Sequence, residues 1–196
     1  MGACWKNISN FNARVFGLMA FIFNSLLPVM NKETILADLD TCTQSFLDTL
    51  RQFNKNDFIQ KPSVDLWSPA EVAEHLLLLE ITANKAITGT TIPTNRAPDK
   101  KIPLIKWAME DSTKRVAPAS VLPSNRITDP DTAIEKVTQQ RASLREAITN
   151  LDLSEACTSF KHPALGTLTR WEWVYFTIYH MQRHLQQIKQ PESSAT

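Results

Sequence analysis

Residues 169–190 read TRWEWVYFTIYHMQRHLQQIKQ, and this stretch decides the fold. It holds no proline and stops at Pro191. Thr169 followed three residues later by Glu172 has capping-box spacing, so a helix starts here, with Thr167 the alternative first residue. Trp171, Val174, Ile178, Met181, Leu185 and Ile188 recur at alternating three- and four-residue steps, the seam of a helix packed against others. Trp173, Thr177, His180, His184 and Gln187 repeat that spacing about 100° round the helix. A solvated face would carry Lys and Glu there. This second stripe is aromatic, polar and metal-capable instead.

Proline placement extends the pattern outward. Proline inside a helix costs about 3 kcal/mol, and besides residues 164–190 three windows are free of it: 29–61, 70–92 and 131–162. In the first, Leu36, Leu39, Phe46, Leu50 and Phe53 make a stripe. The second opens on Ser68-Pro69-Ala70-Glu71, a cap, a first-turn proline and a capping-box glutamate, and continues through Val72, Leu76, Leu79 and Ala83. The third opens on Thr128-Asp129-Pro130-Asp131 and carries Ile134, Val137, Leu144, Ile148 and Leu151. Helices of about 20 residues span about 30 Å each, which predicts an all-α four-helix bundle over residues 31–190, with 191–196 as a tail. Six of the 11 prolines fall between Pro93 and Pro130. Residues 88–127 are therefore read as a long crossover between the second and third helices, with a short helix near Trp107.

Composition narrows the function classes. The chain has 196 residues and a formal charge of +1, which speaks against a dedicated nucleic-acid partner. With 4 glycines and no GxGxxG, GxxxxGK[ST] or GxSxG, phosphate loops and a nucleophile elbow are excluded. Cys4, Cys42 and Cys157 form neither a disulfide framework nor a CxxC pair, which points to a reducing, cytoplasmic setting.

Residues 1–30 carry Lys6 and Arg14 but no acid, and Val15 to Val29 is mostly apolar. Three readings fit: translation starting at Met30, a signal-like or anchoring extension, or an added helix. The apolar run is short of the 20 or so residues that a membrane span needs, so stable insertion is not expected.

Of the four histidines, His180 and His184 stand four apart. On a helix that step is a rise of about 6 Å and a turn of about 40°, so both imidazoles share one face and can chelate one ion. Met181 stands where an HExxH zincin has its glutamate base, which removes that mechanism. His75 lies among Val72, Leu76, Leu78 and Leu79 and should also face inward. Three inward histidines on two helices can close on one metal and leave a position open. The blander alternatives are an ordinary pair of partly exposed histidines and a core His75 bonded to a carbonyl. His162, before Pro163, is read as a turn residue.

Two patches carry a family resemblance. Trp67-Ser68-Pro69-Ala70-Glu71-Val72-Ala73-Glu74-His75-Leu76 resembles the second-helix signature of the DinB-like superfamily. The segment from His162 to Trp173 together with Tyr179 to Ile188 resembles its last helix, with two histidines four apart. The resemblance implies a bundle of up-down-down-up topology. It also implies a divalent metal, typically zinc or nickel, on His75, His180 and His184. Characterised relatives include metal-dependent hydrolases and bacillithiol- or mycothiol-dependent transferases.

Such a centre activates water for hydrolysis of a small amide or ester, or holds a small thiol for group transfer. The alternative is a non-catalytic metal- or ligand-binding, stress-related homodimer. Glu71 and Gln187, each about one turn from a histidine of the trio, are candidates to orient a ring. Glu71 is better read as the capping-box glutamate. Trp173 and Tyr175 are candidate pocket walls, core packing being their commoner role. Arg183 should point away from the trio and pair with an acid. Catalytic and cofactor-binding residues stay unassigned.

Overall fold

The computed structural model describes residues 31–111 and 117–190. The readings of residues 1–30 and of the tail 191–196 lie outside the described residues. In chain order the elements are α1 (Lys32–Leu50), α2 (Lys55–Ile59), α3 (Pro69–Thr88), β1 (Thr91–Ile92), α4 (Ile102–Glu110), a 3-10 turn (Ala119–Val121), α5 (Pro130–Asn150), β2 (Ala156–Cys157) and α6 (Arg170–Lys189). The four long helices α1, α3, α5 and α6 form the bundle.

Both sequence-read capping boxes close. Ser68 and Glu71 satisfy each other's backbone N–H at the start of α3, and Thr169 and Glu172 do the same for α6. Each cap of this kind is worth about 1 kcal/mol. Asp129 precedes α5 as expected but caps no helix amide; its carboxylate accepts from the Thr132 hydroxyl instead.

Cross-helix contacts give the helix directions. Lys32 donates to the Thr149 carbonyl and Arg145 pairs with Asp40, so α1 and α5 run antiparallel. Cys42 meets the Ile178 carbonyl and Tyr175 the Asp38 carboxylate, so α1 and α6 run parallel. Arg170 at the start of α6 binds the Ile87 carbonyl at the end of α3, which makes that pair antiparallel. Arg141 meets Glu80, and Arg126 just before α5 meets Glu74, so α3 and α5 are parallel neighbours. The order is up-down-down-up. Two parallel neighbours need a return path, and the 20 residues of α3 make that path about 30 Å long. The crossover supplies it. Its α4, the predicted short helix near Trp107, packs along α6.

The described residues add a feature that helical periodicity did not announce. Thr91–Ile92 pairs antiparallel with Ala156–Cys157, tying the exit of α3 to the entry of α6. Here Gly89 passes so close to Ser159 that a Cβ would meet the hydroxyl at 2.4 Å. The crossover is also latched by charge. Arg96 grips Glu172 with two bonds of 2.6 Å, and Glu172 takes the Lys101 N–H at 2.8 Å.

The stripes shift in three places. In α1 the buried register runs Ile35, Leu39, Cys42, Phe46, Leu50, with Leu36 half-buried beside it. Adjacent apolar residues leave a helical stripe ambiguous by one position. In α3, Leu79 is half-buried and Glu80 occupies the core position. In α5, Arg141 fills the interior step between Val137 and Leu144, while Ile134 is half-buried. Glu80 (2% exposed) and Arg141 (4%) form an ion pair inside the bundle, and Arg141 also contacts the Met181 sulfur at 3.1 Å. Burial pushes the Glu80 carboxyl above its ordinary pKa, against the pull of the guanidinium. Among the described residues no helix is long and apolar enough to cross a membrane.

Candidate metal centre

The capping box at Ser68 fixes the first turn of α3, and His75 follows two turns on. The box at Thr169 fixes α6 in the same way and sends His180 and His184 inward from the antiparallel neighbour. All three rings are buried, 3%, 8% and 8% exposed in that order. Their centroids lie 4.5–5.2 Å apart. One ring nitrogen from each of the three lies within 4.8 Å of the others. Nε2 of His184 and Nε2 of His180 face each other at 3.3 Å.

Outer contacts orient the rings. His75 Nδ1 donates to the Val121 carbonyl at 2.7 Å, delivered by the 3-10 turn of the crossover. His184 Nδ1 donates to Gln187 Oε1 at 2.8 Å. Each bond fixes a tautomer with a bare Nε2 turned to the centre. The His180 Nδ1 is buried without a partner. Trp67 stands over the group, 4.8 Å from the His75 ring and stacked on His184 at 6.3 Å. Phe176 stacks on His180 at 5.5 Å.

Burial keeps the rings neutral. It holds His180 well below the ordinary imidazole pKa, with repulsion from His184 and His75 added. His184 is pushed down to about 3 by burial, then by His75, while its bond to Gln187 pulls the other way. Burial also lowers His75, opposed by the Val121 bond. Neutral imidazoles are the form that binds metal.

One pair of the donor set meets a geometric test of fit, and the three ring nitrogens together lie within 4.8 Å of one another. Zinc–nitrogen bonds of about 2.0–2.1 Å in a tetrahedral site put neighbouring nitrogens about 3.3–3.4 Å apart. The His180–His184 pair already stands at that spacing. Without a cation or a shared proton it would set two lone pairs against each other.

The remaining candidates fall as follows. Glu71 is the capping residue, and it also pairs with Lys61 at 3.0 Å. Gln187 does orient His184. Tyr175 faces α1, stacked on Tyr179, away from the trio. Trp173 packs among Phe160, His162 and Phe176. Arg183 is half-buried and donates to the Met109 and Asp111 carbonyls, and its charge acts on His180 and His184. His162 is a turn residue: its Nδ1 accepts the Ala164 and Leu165 N–H groups. Two contributors went unread. The Val121 carbonyl is backbone and leaves no side-chain signal. Trp67 stood in a quoted motif but had no assigned role.

Comparison with known proteins follows the same line. A profile of the DinB superfamily matches residues 38–188. The chain is 31% identical over 134 residues to the uncharacterised protein YuaE of Bacillus subtilis (strain 168), covering 67% of this chain and 80% of YuaE. Its fold is similar to that of TT2238, a four-helix bundle protein, with a TM-score of 0.52 and 18% identity over 81% of this chain and 98% of that one. It is also similar to YfiT from Bacillus subtilis, described as "a probable metal-dependent hydrolase with an unusual four-helix bundle topology". There the TM-score is 0.53 at 12% identity, over 95% of this chain and 90% of YfiT.

Proposed function

Because the chain belongs to the DinB superfamily, we propose that it is a metal-dependent enzyme acting on a small molecule, with His75, His180 and His184 holding a zinc or nickel ion. The observation that carries this reading is the pair of Nε2 atoms at 3.3 Å, with a third imidazole turned to the same point. A divalent cation held there supplies Lewis acidity and lowers the pKa of a bound water or thiol.

The chain's own residues prepare that chemistry. Val121 and Gln187 hold the Nδ1 protons of His75 and His184, so neither ring has to change tautomer to offer Nε2. Burial keeps all three rings neutral near pH 7, and the Trp67 ring limits water on one side. Hydrolysis of a small amide or ester is the first reaction to test, given the description of YfiT. Transfer to a small thiol is the second. Cys42 and Cys157, both buried free thiols, support a cytoplasmic setting.

A non-catalytic binding role has one specific observation in its favour. The carboxylates flanking His75 on α3 are committed elsewhere: Glu71 to Ser68 and Lys61, and Glu74 to Ser124 and Arg126. Neither is free to act as a base. Elemental analysis of the protein as isolated separates the outcomes. About one ion per chain is expected, lost in His184→Ala. Full stoichiometry in that variant sinks the trio. Metal without any chelator-sensitive hydrolysis or thiol transfer selects the binding role.

A further inference from the structure

Glu74 stands next to the first histidine of the trio and is as deeply buried, at 3% exposed. One residue along a helix is a turn of about 100°, so its carboxylate leaves α3 on a different side from the His75 ring. There it meets residues 124–126 of the crossover. Oε1 accepts the Ser124 hydroxyl at 2.8 Å, and Oε2 accepts the Arg126 N–H at 3.0 Å. The N–H groups of Ser124 and Asn125 turn to the same carboxylate. Burial works to raise the Glu74 pKa, and these contacts together hold it below the ordinary value. Asn125 lies in the left-handed region at φ +61°, the one non-glycine residue among the described residues to do so. Successive N–H groups about such a residue form a concave nest for an anion. Here the anion is a side chain of the protein itself.

The same stretch of chain holds His75. Three residues before Ser124, the Val121 carbonyl takes the His75 Nδ1 proton at 2.7 Å. Leu122 and Pro123 lie between the two attachments. Leu122 is extended at φ −69° and ψ 135°, the conformation favoured before proline, and the Pro123 ring fixes the next φ. The link is short and stiff, so a shift of the nest passes to the Val121 carbonyl. Among the described residues, every hydrogen bond that joins residues 117–127 to the helices ends on Glu74 or His75. Burial of Val121 and Ile127 keeps the segment on the bundle. Apolar contact is non-directional, however, and does not aim a carbonyl.

We propose that Glu74 is a positioning residue for the trio: its carboxylate holds the 124–126 nest, the nest aims the Val121 carbonyl, and that carbonyl keeps the His75 proton on Nδ1 and Nε2 bare. The consequence for metal affinity rests on the metal-dependent reading; the consequence for the His75 tautomer does not.

Both are measurable. Side-chain ¹H–¹⁵N spectra of the chelator-treated protein report which nitrogen of each histidine carries the proton, with the His75 signals identified by their absence in His75→Asn. Competition with a chromogenic chelator gives the zinc affinity. Wild type should show His75 protonated on Nδ1. Glu74→Ala should turn His75 into a mixture of tautomers, leave His184 on its Gln187 bond unchanged, and weaken zinc binding about 10–100-fold. Asn125→Val reaches the nest from the exposed surface, because a β-branched residue is strained at that φ. It should move both readouts in the same direction. Asn125→Gly adopts the conformation freely and should keep the wild-type tautomer, with zinc affinity within about twofold. A general loosening of the fold would disturb His75 and His184 alike. The proposal is overturned if the His75 tautomer stays put in Glu74→Ala and Asn125→Val, if His184 changes along with it, or if zinc affinity holds while the tautomer moves. A tautomer change in a protein whose wild type takes up no zinc would sink the metal reading and leave the hold on His75 standing. Where Glu74→Ala does not fold, the two Asn125 variants decide.

Discussion

Replacing Arg141 by Met leaves Glu80 alone in the middle of the bundle, and the cost of that change should depend on pH in a calculable way. Glu80 is 2% exposed, and its Oε2 already lacks a partner. Without the guanidinium its charge has no compensation, so the carboxyl takes up a proton instead. Protonating a carboxyl of ordinary pKa 4.5 at pH 7 costs about 3.4 kcal/mol, and at pH 5 about 0.7 kcal/mol. The destabilisation by Arg141→Met should therefore be about 3–4 kcal/mol at pH 7, within the range for breaking a buried pair. At pH 5 it should be smaller, because the wild-type carboxyl, also raised by burial but held down by the guanidinium, takes up its proton at a lower pH than the variant's. The sign follows from linkage: the folded variant holds a proton that the unfolded chain releases above pH 4.5, so the penalty grows as pH rises. Glu80→Leu combined with Arg141→Met removes both charges and should come within about 1 kcal/mol of wild type. Urea unfolding at pH 5, 6 and 7, with equal m-values, measures all of this. A penalty for Arg141→Met that is the same at pH 5 and pH 7 would refute the reasoning.

The trio has its own pH signature. Its rings are held neutral in the fold by lowered pKa values, so the chelator-treated protein keeps their full contribution above about pH 6.5 and loses it as pH falls, the His184 part down to about 3. For His184 the slope should approach about 1.4 kcal/mol per pH unit as pH falls below about 6.5 towards 3, with His180 and His75 adding in the same direction; a flat urea midpoint between pH 7 and 5 contradicts it. Metal content should fall over the same interval, because protons compete for the same nitrogens. Gln187→Leu removes the acceptor from His184 Nδ1 and should weaken metal affinity about 10–100-fold with little change in fold; unchanged affinity in a competition with a chromogenic chelator would show that the 2.8 Å bond does not orient the ring.

Periodicity, proline placement and two capping boxes were enough to read four helices, the crossover and its short helix from the order of residues. These signals are local: a cap or a 3.6-residue stripe depends on neighbours within a turn or two. The spacing of His180 and His184 is local in the same sense, which is why their shared face could be read directly. Contacts between distant segments were beyond that reach. Arg141 and Glu80 interrupt apolar stripes, and only the partner helix explains how either is tolerated inside. The hold on His75 comes from the Val121 carbonyl, 46 residues away, and a backbone oxygen looks alike at every position. The convergence of His75 with His180 and His184 required the antiparallel docking of α3 on α6. The His162 ring reaches Phe176 and Trp173 only because a turn at Gly166 folds it back on α6. A sequence records which groups can turn inward. Which of them meet is decided by packing, because each such contact exists only once the entropy of bringing remote segments together has been overcome by the core they bury.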